Sequence, residues 1–117
     1  MTQENKELQL KDLCSRLPYG VKVHTEVYNT VVLEPFYLDQ HENLHPIAYL
    51  RPMSSMTKEE KKEYDLLCDY YMDDKEVKHY FNNIATIDWY HQKHFDCRGL
   101  IKLGLALEAP EGMYNFQ

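Results

Sequence analysis

The chain has 117 residues, the usual size of one domain, so we expect residues 1–117 to fold as a single unit. Thirteen basic and nineteen acidic residues leave a formal charge of -6. This balance argues against binding to nucleic acid or to an anionic membrane surface, because both require a positive field. Composition therefore favours partners of another kind.

Two further features of the sequence indicate a cytoplasmic protein. The N-terminus lacks the apolar core of a secretory signal, and no stretch reaches the roughly 18 consecutive apolar residues of a membrane-spanning helix. Cys14, Cys68 and Cys97 are odd in number and form no C-x-x-C pair. We expect them to be small buried thiols in a reducing compartment, without structural disulfides.

The first predicted element is a helix over residues 4–16, which Pro18 ends because the residue before a proline avoids helical geometry. Its expected buried stripe has helical spacing and consists of Leu10, Leu13, Cys14 and Leu17.

Strand patterns follow the helix. Residues 21–28 alternate between apolar and polar side chains, Asn29 and Thr30 are predicted to turn the chain, and a return strand begins at residue 31. Residues 47–50 are short and apolar and could add a third strand. The sequence therefore predicts a small antiparallel sheet, at least a hairpin, which helices must cover.

The second half of the chain reads as helical. Thr57 and Glu60 match the capping box that begins a helix. Residues 75–83 suit either a short helix or a strand. A further helix is expected to begin near Asn83 or Thr86 and to run toward His94.

One more short helix is predicted after residue 94. Asp96 is a suitable N-cap, and Gly104 is a suitable C-terminal stop. The fold class is therefore α+β: an N-terminal helix, a small antiparallel sheet, and two to four C-terminal helices.

Several runs of sequence resemble a group of small proteins from phages and mobile elements of gut anaerobic bacteria. The runs are LKDLCSRLPYGV at 10–21, YLRPMSSMT at 49–57, IDW at 87–89, HFD at 94–96, RGLI at 98–101 and EGMY at 111–114. The group has no assigned activity, so the resemblance implies a biological setting rather than a mechanism. His91 and Cys97 depart from the pattern of that group, so a site built on them would be particular to this chain.

His91, His94 and Cys97 are the residues most like metal ligands. On a helix they would recur every third position and share a face. Zinc accepts imidazole nitrogen and thiolate, and His79 or Asp88 could supply a fourth ligand. The alternative is a solvated helix end with no metal. A zinc- or thiol-dependent enzyme based on these three residues is thus one hypothesis, although no phosphate loop or hydrolase motif accompanies them.

Acidic and aromatic side chains support a different hypothesis, a docking surface. Residues 57–76 hold eight acidic residues and four lysines, so they carry -4 of the total charge and could face a basic partner. The ten tyrosines either cover the sheet or form an exposed patch of the kind found in protein interfaces. The candidate partner-binding residues are Asp65, Asp69, Tyr70, Tyr71, Trp89 and Tyr90.

The function predicted from the sequence is that of a non-enzymatic interaction or regulatory protein, an accessory factor of a phage or mobile element that needs no cofactor. The metal or thiol enzyme is the first alternative. The second is a protein that binds nucleic acid or inhibits its enzymes by mimicking a polyanion. The partner and the oligomeric state are left open by the sequence.

Overall fold

A computed structural model describes residues 2–69 and 85–114, with the side chains of residues 68 and 69 excepted. Helix α1 spans Gln3–Arg16 and begins where the Thr2 hydroxyl accepts a hydrogen bond from the Asn5 amide. A 3₁₀ turn over Leu17–Tyr19 follows, and Gly20 leaves it with a left-handed φ of 70°. The predicted first helix and its end at Pro18 are therefore confirmed.

The buried face of α1 differs from the predicted stripe. Leu13 is buried, but Leu10 and Cys14 are exposed. The other buried residues of the helix are polar: Gln9, Asp12 and Arg16. The prediction that the cysteines are buried is therefore wrong for Cys14, because an ion pair between Asp12 and Arg16 turns the polar side of the helix inward.

The sheet has four strands in the order β2-β1-β3-β4. The strands span Lys22–Thr25 (β1), Asn29–Val32 (β2), Ile47–Leu50 (β3) and Ala106–Glu108 (β4). β1 pairs antiparallel with both β2 and β3, which confirms the hairpin and the third strand. β4 pairs parallel with β3, so the sheet is mixed rather than purely antiparallel.

Two short helices, α2 (Pro35–Asp39) and α3 (His41–Leu44), connect β2 to β3. The chain turns between β1 and β2 earlier than predicted. Asn29 and Thr30 already pair with Thr25 and His24, so the turn lies before Asn29, which has a left-handed φ of 60°.

Helix α4 spans Lys58–Asp69 and begins with the predicted capping box. The Thr57 hydroxyl accepts from the Glu60 amide, while the Glu60 carboxylate accepts from the Thr57 amide. Residues 85–92 form helix α5, which matches the predicted helix before His94. The ambiguous residues 75–83 lie outside the described ranges. None of the helices in the described ranges is long and apolar enough to cross a lipid bilayer.

The prediction of a short helix after Asp96 is wrong, because this segment forms turns. Asp96 nevertheless accepts hydrogen bonds from main-chain amides as a cap does. Its two carboxylate oxygens accept from the amides of Leu100 and Ile101. The chain continues as turns to Gly104 and then enters β4. Leu100 and Leu105 pack in the core because these turns bring them against the sheet. The core cluster consists of Leu13, Val21, Val23, Leu33, Ala48, Leu50, Leu100, Leu105 and Ala106.

Candidate functional site

A cleft of about 860 Å³ opens where the parallel strands β3 and β4 end. One wall is the loop after β3 together with the first turns of α4, and the other is the segment after β4. Its size is that of a typical ligand-binding cleft. The lining residues are Arg51, Pro52, Ser55, Thr57, Glu59, Glu60, Glu63, Lys93, Glu108, Ala109, Pro110, Glu111, Gly112 and Tyr114.

Arg51 holds the first wall in place. Its guanidinium donates two hydrogen bonds of 2.7 Å to the Glu60 carboxylate and lies over the Phe95 ring at 4.2 Å. Its main chain pairs with the segment after α5, since the Arg51 amide donates to the His94 carbonyl and the Asp96 amide donates to the Arg51 carbonyl. Arg51 therefore joins the end of β3, the start of α4 and the end of α5.

Tyr114 holds the second wall. Its hydroxyl accepts from the Lys22 amide and donates to the Tyr49 carbonyl, both at 2.8 Å. Its ring stacks on His94, with centroids 3.9 Å apart. The Ala109 amide donates to the Leu50 carbonyl at 2.8 Å and continues the pairing of β4 beyond Glu108. These contacts fix the segment after β4 against the sheet.

The cleft is acidic. Its lining contains five glutamates and two basic residues, a formal charge of -3. Arg51 neutralises Glu60, and Lys93 lies 3.7 Å from Glu63. Glu59, Glu108 and Glu111 are exposed, and none of them forms an ion pair with any residue in the ranges 2–69 and 85–114. Unneutralised carboxylates therefore stand on both walls.

Three titratable groups in and beneath the cleft, Glu60, Tyr114 and His94, have shifted pKa values. Hydrogen bonds from Arg51 lower the pKa of Glu60 to about 2, and burial raises the pKa of Tyr114 to about 12. Burial, with the charges of Arg16, Arg51 and Lys22, lowers the pKa of His94 to about 4. At neutral pH, Glu60 is charged while His94 and Tyr114 are neutral.

The partner-binding residues predicted from the sequence lie outside this cleft. Asp65 is exposed and pairs with Lys61 at 3.1 Å on the surface of α4. Asp69 belongs to α4, but its side chain lies outside the described residues, as do Tyr70 and Tyr71 entirely.

Trp89 and Tyr90 belong to an internal aromatic cluster instead of an open patch. Trp89 is only 5% exposed; its ring stacks on Phe95, and its indole N–H donates to Glu63. Tyr90 is half-buried and stacks on Tyr64. Trp89 is thus unavailable as a contact residue in this conformation.

The three candidate metal ligands lie in different surroundings. His94 stacks on Tyr114, whereas Cys97 Sγ lies 4.0 Å from a guanidinium nitrogen of Arg16. His91 is buried, and its burial, followed by the positive charge of Arg16, lowers its pKa. Among the described residues, no three histidine, cysteine or acidic side chains are arranged to hold a metal ion. The possible fourth ligand His79 lies outside the described ranges.

Cys97 also lacks the environment of a catalytic thiol. Burial raises its pKa above the ordinary value, and this effect exceeds the lowering by Arg16. A nucleophilic cysteine needs the opposite shift, because the thiolate is the reactive form.

Sequence reasoning missed Arg51, Glu108, Glu111 and Tyr114. Glu60 was identified as a helix cap, but its partner Arg51 lies nine residues earlier, beyond any helical spacing. Glu108 and Glu111 line the same cleft as the start of α4 because β4 pairs parallel with β3, a pairing that a local sequence pattern does not predict. The i, i+4 spacing of Asp12 and Arg16 was a usable signal for their ion pair.

Comparison with models of known protein families gives no match, and no curated protein and no solved structure matches the chain.

Proposed function

We propose that this protein is a non-enzymatic interaction module whose acidic cleft holds a basic, extended segment of a partner protein. The observation that carries this proposal is the set of unneutralised carboxylates on the two walls, namely Glu59, Glu108 and Glu111. A single acidic helix face is common on protein surfaces, whereas carboxylates that converge from two separate segments surround whatever enters between them.

The chemistry of the walls favours an arginine- or lysine-bearing segment. Carboxylates accept two parallel hydrogen bonds from a guanidinium, and an acidic field attracts a basic segment during the encounter. Arg51 does not compete for these positions, because Glu60 holds its guanidinium in a two-bond pair. An incoming basic side chain would therefore meet the free carboxylates of Glu59, Glu108 and Glu111.

The pKa values around the cleft support binding rather than catalysis. General acid–base catalysis works best when a group has a pKa near the working pH. Glu60 and Tyr114, with pKa values of about 2 and about 12, would not exchange protons readily at neutral pH. The setting that we propose is an accessory role in a phage or mobile element, acting in the cytoplasm.

A peptide selection with matched variants tests this function. A displayed library of random short peptides is selected first on the wild-type protein, and enriched peptides are then measured by fluorescence anisotropy. The cleft variant is Glu59→Gln/Glu108→Gln/Glu111→Gln. The control is Glu4→Gln/Glu26→Gln/Glu34→Gln, which removes the same charge from exposed residues outside the cleft lining.

We expect the selected peptides to be enriched in arginine and lysine, and their affinity to fall about tenfold or more in the cleft variant, because three surface ion pairs are lost. The control variant should retain nearly wild-type affinity. Selection of peptides without a basic bias, or equal losses in both variants, would refute the proposal.

A further inference from the structure

A second, shallower pocket of about 460 Å³ lies beside the acidic cleft at the start of α4. Its lining residues are Met56, Thr57, Lys58, Lys61 and Lys62, so we call it the lysine pocket. Thr57 lines both the lysine pocket and the acidic cleft, and the two are therefore adjacent across the N-cap of α4. A segment that leaves the cleft on this side would meet the lysine pocket next.

The first turns of α4 separate their charges between the two sites. The acidic residues line the cleft, and the lysines line the lysine pocket. These are Glu59, Glu60 and Glu63 on the one side and Lys58, Lys61 and Lys62 on the other. Residues three or four positions apart share a face of a helix, so this spacing gives α4 one acidic side and one basic side.

Two lysines of the pocket are available to a partner. Lys61 lies 3.1 Å from Asp65, whereas Lys58 and Lys62 are exposed and form no ion pair within the part of the chain that the structure describes. The surface of the pocket is mostly apolar, as expected where lysine stems lie along it and the ammonium groups reach solvent. The pocket therefore fits a carboxylate carried on an aliphatic stem.

We propose that the partner segment held in the acidic cleft also carries an acidic residue, which binds Lys58 and Lys62 in the lysine pocket. This inference rests on the proposed function, because the basic part of the segment is held by the cleft. The occupant is thus a segment of mixed charge. Its basic residues meet the free glutamates, and its carboxylate lies a short distance along the chain, beyond Thr57.

The lysine pocket would make the site selective. The acidic cleft alone attracts any polybasic segment, since its field is negative. A segment that is basic throughout would also place cations beside Lys58 and Lys62, and such like-charge contacts oppose binding. A segment with both signs in the matching order forms opposite-charge contacts at both sites. The two sites together therefore read a charge pattern instead of a net charge.

Matched peptides and protein variants test this inference. Peptides selected on the wild-type protein are synthesised with their acidic residue, with its amide counterpart, and with lysine in its place. Fluorescence anisotropy measures their affinity for the wild type and for Lys58→Gln/Lys62→Gln. The control is Lys11→Gln/Lys102→Gln, which removes the same charge from exposed lysines outside both linings. A fourth protein, Lys58→Glu/Lys62→Glu, reverses the charge of the lysine pocket.

We expect the selected peptides to share an acidic residue at a constant spacing from their basic residues. Its replacement by the amide should weaken binding to the wild type and the control about threefold or more, and should change binding to Lys58→Gln/Lys62→Gln little. The charge-reversed protein should prefer the lysine peptide.

Two results would overturn this inference while the proposed function stands: basic peptides without such an acidic position, or an equal effect of the amide replacement on the wild type and on Lys58→Gln/Lys62→Gln. A preference of the charge-reversed protein for the acidic peptide would overturn it as well. Selected peptides without a basic bias would refute the proposed function itself and this inference with it.

Discussion

Two arginine-centred ion pairs hold this fold together, and they differ in how completely they are satisfied. The Arg16 and Asp12 side chains are fully buried and share one contact of 2.8 Å, while Arg16 Nη1 and Asp12 Oδ1 make no hydrogen bond. Arg51 and Glu60 lie at the cleft with 14% and 9% of their side chains exposed and share two bonds.

This difference separates two roles of a charge inside a protein. Arg16 also donates to the Phe95 carbonyl, so it links α1 to the segment after α5, but its pair loses the hydration of both ions. Arg51 and Glu60 retain contact with water and bind each other through two oriented bonds. We therefore expect the Arg16–Asp12 pair to fix how α1 packs against the segment after α5 without adding much stability. The Arg51–Glu60 pair should stabilise the fold and also shape the cleft.

The largest effect should come from breaking the buried pair on one side. Arg16→Met removes the hydrogen-bonded partner of the buried Asp12 carboxylate and leaves it only the longer ion pair with Arg98, in which Arg98 Nη1 lies 3.8 Å from Asp12 Oδ1. This change should lower the free energy of unfolding by about 3 to 5 kcal/mol. The double variant Asp12→Leu/Arg16→Met should recover most of that loss, because an apolar pair needs no hydration. Urea unfolding measures both. A double variant as unstable as the single one would mean that the pair itself stabilises the fold.

Glu60→Gln should cost less, about 2 to 3 kcal/mol at neutral pH, since one partner of a partly hydrated pair is lost. It should also change the pH dependence of stability. The pKa of Glu60 is lowered from 4.5 to about 2 in the folded state, so its contribution is present above pH 4.5 and is lost as the pH falls from 4.5 to 2.

The histidines act in a higher pH window and serve as the internal control for Glu60→Gln. Burial lowers the pKa values of His41, His91 and His94 in the folded protein. The unfolded chain therefore binds their protons first, and stability falls as the pH drops below 6.5. The Glu60→Gln variant should still lose stability as the pH drops below 6.5, but it should not show the further loss between pH 4.5 and 2 that comes from Glu60. Unfolding curves in urea at a series of pH values should reveal both stages, and a lower stage of unchanged size in the variant would contradict the assignment to Glu60.

Tyr114→Phe should have a moderate effect, about 1 to 2 kcal/mol, because it leaves the Lys22 amide and the Tyr49 carbonyl without their shared hydroxyl. The stack on His94 is kept, so the loss reports the hydroxyl alone. Thermal unfolding measures it. A variant as stable as the wild type would show that the second wall does not depend on this anchor.

The smallest effect should come from the surface pair that the sequence had placed in a docking face. Lys61 and Asp65 are both more than half exposed, so Lys61→Ala should change the stability by no more than about 0.5 kcal/mol. Urea unfolding of this variant provides the baseline for the buried pairs. A loss comparable with that of Glu60→Gln would contradict the distinction between exposed and buried pairs.

The sequence could predict those features that depend on residues close together in the chain. The first helix, the hairpin and the capping box depend on neighbours a few residues apart, and all three were predicted, although the hairpin turns before Asn29 rather than at Asn29 and Thr30. The polar inner face of α1 was not predicted, because Arg16 donates a hydrogen bond to the carbonyl of Phe95, which lies 79 residues away in the sequence. β4 was missed for the same reason, since its three residues become a strand only beside β3.

Of the candidate site, only the negative charge could be predicted from the sequence. The acidity of residues 57–76 indicated a basic partner, and Glu59 and Glu60 belong to that stretch. The second wall with Glu108 and Glu111 depends on the parallel pairing of β4, so the sequence placed the candidate surface further along α4, at Asp65 and Asp69. Trp89 was assigned to an exposed surface, because the sequence of a helix does not show which of its faces other parts of the chain will cover.

The measurement that tests the central proposal most directly is an NMR titration of the labelled wild-type protein with an arginine-rich peptide from the selection. We expect the largest amide shift changes to fall on residues 51–60 and 108–112, the two walls of the cleft, and to shrink as salt is added. Shift changes concentrated on the surface around Asp65 or along β2, or no changes at all, would contradict it.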